Sequence, residues 1–261
     1  MERLFKIRIF TVMFFLAVAS IAANAKESKK EGDNYHAKQI LIVGLHDNVK
    51  SNYFYNGMIA EETGMKADSI DQTYNTIIAE NIAASVKNGD CKFIPANATQ
   101  VTGQVLNEIK VNGESEDCYS DLSAVPTEKL QKVLDNADAD YLLVLNQHYL
   151  KWQDQPLRTL FHIVSYTLFD KDKNEVYRGN NFFTCMNLEN PDKLRKSSRK
   201  SSSKIASSII KTLDETNLLF YRHIYNFLVE PNGYPSLGFF LYLNLHTDVI
   251  SLQNRTLTFA P

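Results

Sequence analysis

Three strand-like stretches follow one another in this chain with no helix between them, at residues 141–152, 160–170 and 175–184. Leu142 to Leu145 is apolar at every position, as in a strand covered on both faces. Residues 160–170 alternate, with Phe161, Ile163 and Phe169 on one side and Val164, Tyr166 and Leu168 on the other. Residues 171–174 are a polar turn, so the last two stretches form a hairpin. Three long strands in succession make an antiparallel meander, and the rest of the fold must supply helices that cover it.

The upstream chain reads differently. Residues 39–45 (QILIVGL) are a short apolar strand, followed by a long connection over 46–68 with room for a short helix. The spacing of Ile70, Tyr74, Ile77, Ile78, Ile82 and Val86 predicts a helix over 69–87, stopped by Asn88 and Gly89. A second strand is expected at 91–94, a short helix at 104–111 and a polar surface loop at 112–120. Leu130, Val133 and Leu134 mark a helix over 127–136. Asn190, Pro191 and Asp192 start a last helix, running to 213. On it Leu194, Ser198, Ser201, Ile205, Ser208, Ile209 and Thr212 share one side. Lys193, Lys196, Arg199, Lys200, Lys204 and Lys211 share the other. The fold class is therefore mixed α/β: a mixed sheet of about five strands, with a carboxyl-side three-strand meander and helices packed on it.

The amino terminus carries a different message. Arg3, Lys6 and Arg8 precede an apolar run from Ile9 to Ala19, and Ala23-Asn24-Ala25 follows as a small-x-small exit. This is the pattern of a secretory signal peptide, cleaved near Ala25. The expected organisation is a signal peptide at 1–25, a flexible leader at 26–36, the mixed domain at 37–214 and an apolar tail at 215–261. The tail holds no lysine and contains LGFFLYLNL at 237–245, too short to span a bilayer. It is either a pair of extra packing segments or an extension outside the domain. The expected location is the periplasm or the exterior.

The 261-residue chain has a formal net charge of −2, and the signal region removes more basic than acidic residues. That balance argues against a general nucleic-acid binder, which needs excess Lys and Arg for phosphate contacts. Three cysteines leave one over in an oxidising compartment. Two arrangements are open: three buried free thiols, or one disulfide, for which Cys91 and Cys118 are the best pair because they lie in one local segment.

Four groups of residues are candidates for function. The six-cation stripe on the last helix suits anionic lipid headgroups, lipopolysaccharide or an acidic protein surface. Tyr53, Phe54 and Tyr55 are either an interface anchor or part of the core. His46 and Asp47 follow the first strand, where open α/β sheets place ligands, and would serve a hydrolase as base and orienter. His148 and His162 lie on neighbouring strands and would need further ligands to hold a metal. Gly-rich phosphate loops, HExxH, GxSxG and CxxC do not occur.

The order strand, helix, strand, helix, meander, helix resembles the small mixed α/β domain of bacterial envelope proteins. These include the outer-membrane lipoprotein activators of penicillin-binding proteins, the amino-terminal domain of TolB and curli-secretion-type lipoproteins. The stretches that carry it are QILIVGL (39–45), YNTIIAENIAASV (74–86), ADADYLLVLNQHYLKW (137–152), IVSYTLFDKDKNEVYRGN (163–180) and KIASSIIKTLD (204–214). The resemblance implies a binding or assembly role in the cell envelope, with another envelope protein as partner and no catalysis or cofactor. The chain departs from these proteins in having no cysteine at the cleavage site for lipid attachment, so the mature protein is expected to be released.

Overall fold

The computed structural model describes residues 37–86, 89, 91–96 and 103–228, with side chains at 103–104 and 216–228 left out. The signal peptide, the leader, Asn88 of the expected helix stop and the tail beyond 228 lie outside the described residues.

The chain runs through β1 (Lys38–Gly44), β2 (Val49–Ser51), α1 (Asn56–Thr63), a 3-10 turn (Ala67–Ser69) and α2 (Ile70–Ser85). It continues through β3 (Cys91–Pro95), α3 (Gly103–Glu108), β4 (Lys110–Asn112), β5 (Tyr119–Asp121) and α4 (Thr127–Asn136). The meander is β6 (Tyr141–Gln153), β7 (Thr159–Asp170) and β8 (Glu175–Cys185), and α5 (Pro191–Ser197) and α6 (Arg199–Leu228) close the described chain.

The main sheet has the order β3-β1-β6-β7-β8. β1 is parallel to β3 and β6, whereas β6, β7 and β8 are antiparallel. A sixth strand was hidden in the connection expected at 46–68. β2 also pairs with β6 in parallel, Val49 opposite His148, so β1 and β2 lie end to end along one long neighbour. The segment expected as a helix and a loop over 104–120 contains instead a short helix and a second small sheet of β4 with β5. Three-residue strands are too short to show an alternation, which is why the sequence pattern missed all three.

Each face of the sheet is covered. Ile40, Ile42, Leu143, Leu145, Val164 and Tyr166 pack under α2 and α6, against Ile78, Ile82, Ile205 and Ile209. Leu41, Val43, Leu142, Val144 and Phe169 pack on the other face against Leu130, Val133 and Leu134 of α4. A third cluster, under α1, the start of α2 and α5, joins Leu150 and Leu160 to Ile59, Tyr74, Leu188 and Leu194. The helix expected over 190–213 is interrupted at Ser198 and continues to Leu228. Its packing side is as expected at Leu194, Ser198, Ser201, Ile205 and Ile209, with Ser202, Ala206 and Leu213 also buried. Small side chains there let the helix approach the sheet closely.

Between β1 and β2 the backbone ladder stops, and Asn75 of α2 fills the gap. Its Nδ2 donates to Leu45 O at 2.9 Å, while its Oδ1 accepts from Asn48 Nδ2 and from His148 Nε2, both at 3.0 Å. Asn48 Nδ2 also reaches Leu145 O at 3.2 Å. The Asn75 amide lies directly on Gly44, so a Cβ at residue 44 would overlap it. Gly44→Ala is expected to cost about 1–3 kcal/mol of stability through that overlap. Urea unfolding should show a smaller cost in an Asn75→Gly background, where both the amide and the Cβ that the new methyl would meet are absent.

Candidate functional site

The basic stripe lies along α5 and the start of α6. α5 starts where Asn190 Oδ1 accepts from the Lys193 amide at 3.0 Å, with Pro191 in the first turn. Leu194 is buried, Asn81 Nδ2 donates to Arg195 O and Ser198 Oγ, both at 2.9 Å, and Ser198 Oγ donates to Leu194 O. These bonds fix the helix face at its interruption. The opposite side is left to solvent, with Lys193, Lys196, Arg199, Lys200, Lys204 and Lys211 all exposed.

Lys211 lies 3.7 Å from Glu215 and Arg195 is paired with Glu80. Lys193, Lys196, Arg199, Lys200 and Lys204 form no ion pair among the described residues. Elsewhere Lys129 pairs with Glu108, Lys151 with Glu116, Arg178 with Glu175 and Lys50 with Asp47, and the cations without an ion pair are not gathered on one helix side. From Lys193 to Lys204 the ridge is about 16 Å long at the helical rise.

Tyr53, Phe54 and Tyr55 divide between the two roles expected of them. Ser51 Oγ accepts from the amides of Tyr53 and Phe54 at 3.1 and 3.0 Å, turning the chain out of β2. Phe54 packs on the third core cluster and meets Trp152 edge-on, with ring centroids 5.7 Å apart. Tyr53 stacks on Trp152 at 6.0 Å and stays exposed, as does Tyr55. Asn52 clamps this corner by exchanging bonds with the Trp152 main chain.

His46 and Asp47 are both exposed. The Asp47 carboxylate is 2.7 Å from Lys50, and its amide donates to Asp71 Oδ2. Asp47 has a φ of +51°, the left-handed conformation of a tight turn. These bonds describe a turn that brings the chain from β1 to β2.

His148 and His162 are brought together, but inside the protein. Val49 and Val164 flank His148 in the sheet, and Leu150 lies opposite His162. Tyr74 covers both, with centroids 5.6 Å from His148 and 6.2 Å from His162, and Phe183 stacks on His162 at 4.6 Å. No cluster of three or more His, Cys, Asp or Glu suited to a metal occurs among the described residues. Burial drives both imidazoles down to a pKa of about 3, helped at His162 by the charge of His148. Burial likewise pushes the Tyr74 phenol up and the Cys185 thiol up to about 11, with Glu189 adding to both. All four groups are therefore neutral near pH 7. Sequence reasoning missed Tyr74 as the cover of the two histidines and Cys185 as a group acting on Tyr74, because no spacing rule connects α2 to the end of β8.

Of the two cysteine arrangements, the structure holds the buried free thiols, and the possible Cys91–Cys118 disulfide does not form. Cys91 packs beneath α2 with Ile40 and Phe93, whereas the Cys118 thiol lies 2.8 Å from Gln147 Oε1. Cys118 carbonyl accepts from Asn146, which also bonds Thr167, on the opposite face of the sheet. The sheet itself separates the two sulfurs. A cleft of about 460 Å³ near the β7–β8 turn holds Asp121, Asp172, Lys173 and Glu175. Two of its acids are engaged, Asp121 by the amide and hydroxyl of Ser123 and Glu175 by Arg178.

The buried imidazoles set the acid response of the fold. Above the unfolded pKa of about 6.5 both states are neutral and the histidines contribute no slope. Below it the unfolded chain binds protons that the folded chain refuses until about pH 3. Stability should therefore fall as pH drops through that window, by up to about 1.4 kcal/mol per pH unit for each histidine. Neither ring nitrogen of His162 has a hydrogen-bond partner among the described residues. His162→Leu should accordingly leave stability at pH 7.5 unchanged or slightly higher, and remove about half of the acid slope in urea unfolding series.

No family model matches the sequence, nor does any curated protein. Among solved structures, the chain is similar to the protein XCC0632 of Xanthomonas campestris, of the DUF330 family, with 7% identity and a TM-score of 0.36 over 69% of this chain and 88% of that one. The lipoprotein GNA1162 of Neisseria meningitidis gives 13% and 0.29 over 68% and 99%. The LpoB C-terminal domain of Salmonella enterica gives 14% and 0.24 over 60% and 90%. These neighbours include lipoproteins, and at such identities the likeness carries over no site and no activity.

Proposed function

We propose that this protein is a non-catalytic interaction module of the cell envelope, exported through its amino-terminal signal, and that the ridge on α5 and α6 docks on an acidic surface of another envelope protein. The observation that carries this reading is the set of five exposed cations on one stripe that form no ion pair among the described residues. A row of unneutralised charge attracts an anionic partner and speeds encounter more than it stabilises the fold. The chemistry of the other candidates supports the same reading. His148, His162 and Cys185 are buried in neutral form, and the Asp47 carboxylate is held by Lys50.

The test replaces Lys196, Arg199 and Lys200 by glutamate in the full chain. All three are exposed, so each change should alter stability by less than about 0.5 kcal/mol. A photo-crosslinker at Lys204 in native envelopes should capture a discrete protein adduct at low salt. The charge-reversed chain should bind that partner at least tenfold more weakly, and 0.5 M salt should have a similar effect. Adducts that ignore both changes, or none at all, would refute the reading.

A further inference from the structure

The far half of the main sheet keeps two ionisable rings in its interior. His162 stands between Leu160 and Val164 on one face of β7, with Leu150 opposite it on β6 and Phe183 opposite it on β8. His148 lies one strand away, opposite Val164, so the two imidazoles are diagonal neighbours on the same face. Tyr74 stacks over His162, and its phenol lies within electrostatic reach of Cys185 and Glu189. The roof over His162 thus runs from α2 to the connection between β8 and α5. Both ring nitrogens of His162 and the Tyr74 hydroxyl are buried without a hydrogen-bond partner among the described residues. Three such polar atoms under one roof weaken it, because burying an unpaired polar group is costly.

No carboxylate is placed to hold a proton on either ring. From α2, Asp71 accepts from the amides of Asp47 and Val49, and Glu80 is paired with Arg195. Beyond β8, Glu189 accepts from the Ser197 hydroxyl at 2.7 Å, and Cys185 is a neutral thiol. Lys50 of β2 is paired with Asp47. Glu61 and Glu62 of α1 and Lys66 and Asp68 of the 3-10 turn are exposed. So are Asp192, Lys193 and Lys196 of α5 and Arg199, Lys200 and Lys204 of α6. The His148 ring is bonded to Asn75 Oδ1, and a charge on it would oppose one on His162. An imidazolium at residue 162 would therefore be buried with two unmatched N–H groups and no counter-charge.

The cover over this site has few anchors. Of residues 186–197 only Leu188 and Leu194 are buried, and both pack with Leu150 and Leu160 beside His162. Farther on, Asn81 and Glu80 of α2 hold Arg195, and the helix is interrupted at Ser198. The stretch 186–194 can swing from that point without disturbing α6, whose Ile205, Ile209 and Leu213 belong to a different core cluster. Segments with few buried apolar contacts open at a lower free energy than the whole fold.

We propose that His162 is an acid-sensitive latch, whose protonation releases residues 186–194 from the sheet while the body of the domain stays folded. In the open form the ring meets water, which satisfies both N–H groups. Its proton affinity is then the ordinary one, with a pKa of about 6.5. Above that pH the cover keeps its full stability. Below it each pH unit multiplies the open population about tenfold, until the closed ring also protonates near pH 3. The released stretch carries Lys193, so opening would take that cation out of line with the ridge. Only this last consequence rests on the ridge reading.

Hydrogen exchange of the full chain at pH 7.5 and pH 5.0, corrected for intrinsic rates, tests the latch. The reporting amides are Lys193 and Leu194, bonded to Asn190, and Ser198, bonded to Leu194 O. On acidification their opening should increase about thirtyfold more in the unaltered chain than in His162→Leu, the factor for one imidazole about 1.5 pH units below its ordinary pKa. His162→Met is a second neutral replacement, should leucine pack poorly. Amides of β1 and α4 should stay protected at both pH values in every chain. An acid increase at 193–198 that is absent, or equal in the unaltered chain and the variants, overturns the latch. So does an acid increase that β1 and α4 share, which would be unfolding of the whole domain. No partner takes part in this measurement, so its result is independent of whether the ridge captures one.

Discussion

The gap between β1 and β2 is the feature on which the rest of this structure depends. A strand as long as β6 needs partners along both edges, and on one side it is served by two short strands instead of one. Where they part, main-chain groups inside the protein lose their ladder bonds, and an unpaired buried amide or carbonyl is costly. Asn75 meets that demand with one side chain that bonds Leu45 O, Asn48 and His148 at once. Asp71, one turn earlier, accepts from the amides of Asp47 and Val49. The start of α2 is thus the seam that lets the sheet continue past β1.

Everything beyond that seam follows from it. The far half of β6 and β7, with His148, Leu150, Leu160 and His162, is covered by Tyr74 and by the short α1 and α5. That region is assembled from short pieces, and its loops reach solvent with Tyr53, Tyr55, Leu157 and Met186. The near half is a layered core, with the long α2 and α6 on one face and the shorter α4 on the other. The described chain therefore has a regular body and an irregular end, and most of the exposed large apolar groups among the described residues lie at the irregular end.

The sequence was informative wherever a period could be counted. The meander, α2, α4 and the burial of Ile70, Tyr74, Ile77, Ile78 and Ile82 were legible because each repeats over several turns or pleats. β2, β4 and β5 were not, since Val49–Ser51, Lys110–Asn112 and Tyr119–Asp121 are three residues long and paired by tertiary context. The Cys91–Cys118 pairing failed for a related reason: nearness in sequence says nothing about which face of a sheet a thiol occupies. The ridge was readable as a stripe, but the neutrality of His148 and His162 was not, because it depends on Tyr74 and Phe183 closing over them.

The distribution of charge bears on what kind of work this surface suits. Catalytic groups need perturbed environments that remain open to a substrate. Here the strongly perturbed groups, His148, His162, Tyr74 and Cys185, are enclosed, while the cations of the ridge lie in open solvent. A solvated cation gains little from its own fold, since surface charge pairs are worth at most about 1 kcal/mol. Its energetic value is realised when a partner removes the water around it and supplies the opposite charge. On the reading proposed above, the helix backbone that carries five such groups is fixed by Asn81 at Arg195 and Ser198, which lowers the entropic cost of recognition on the side of the backbone.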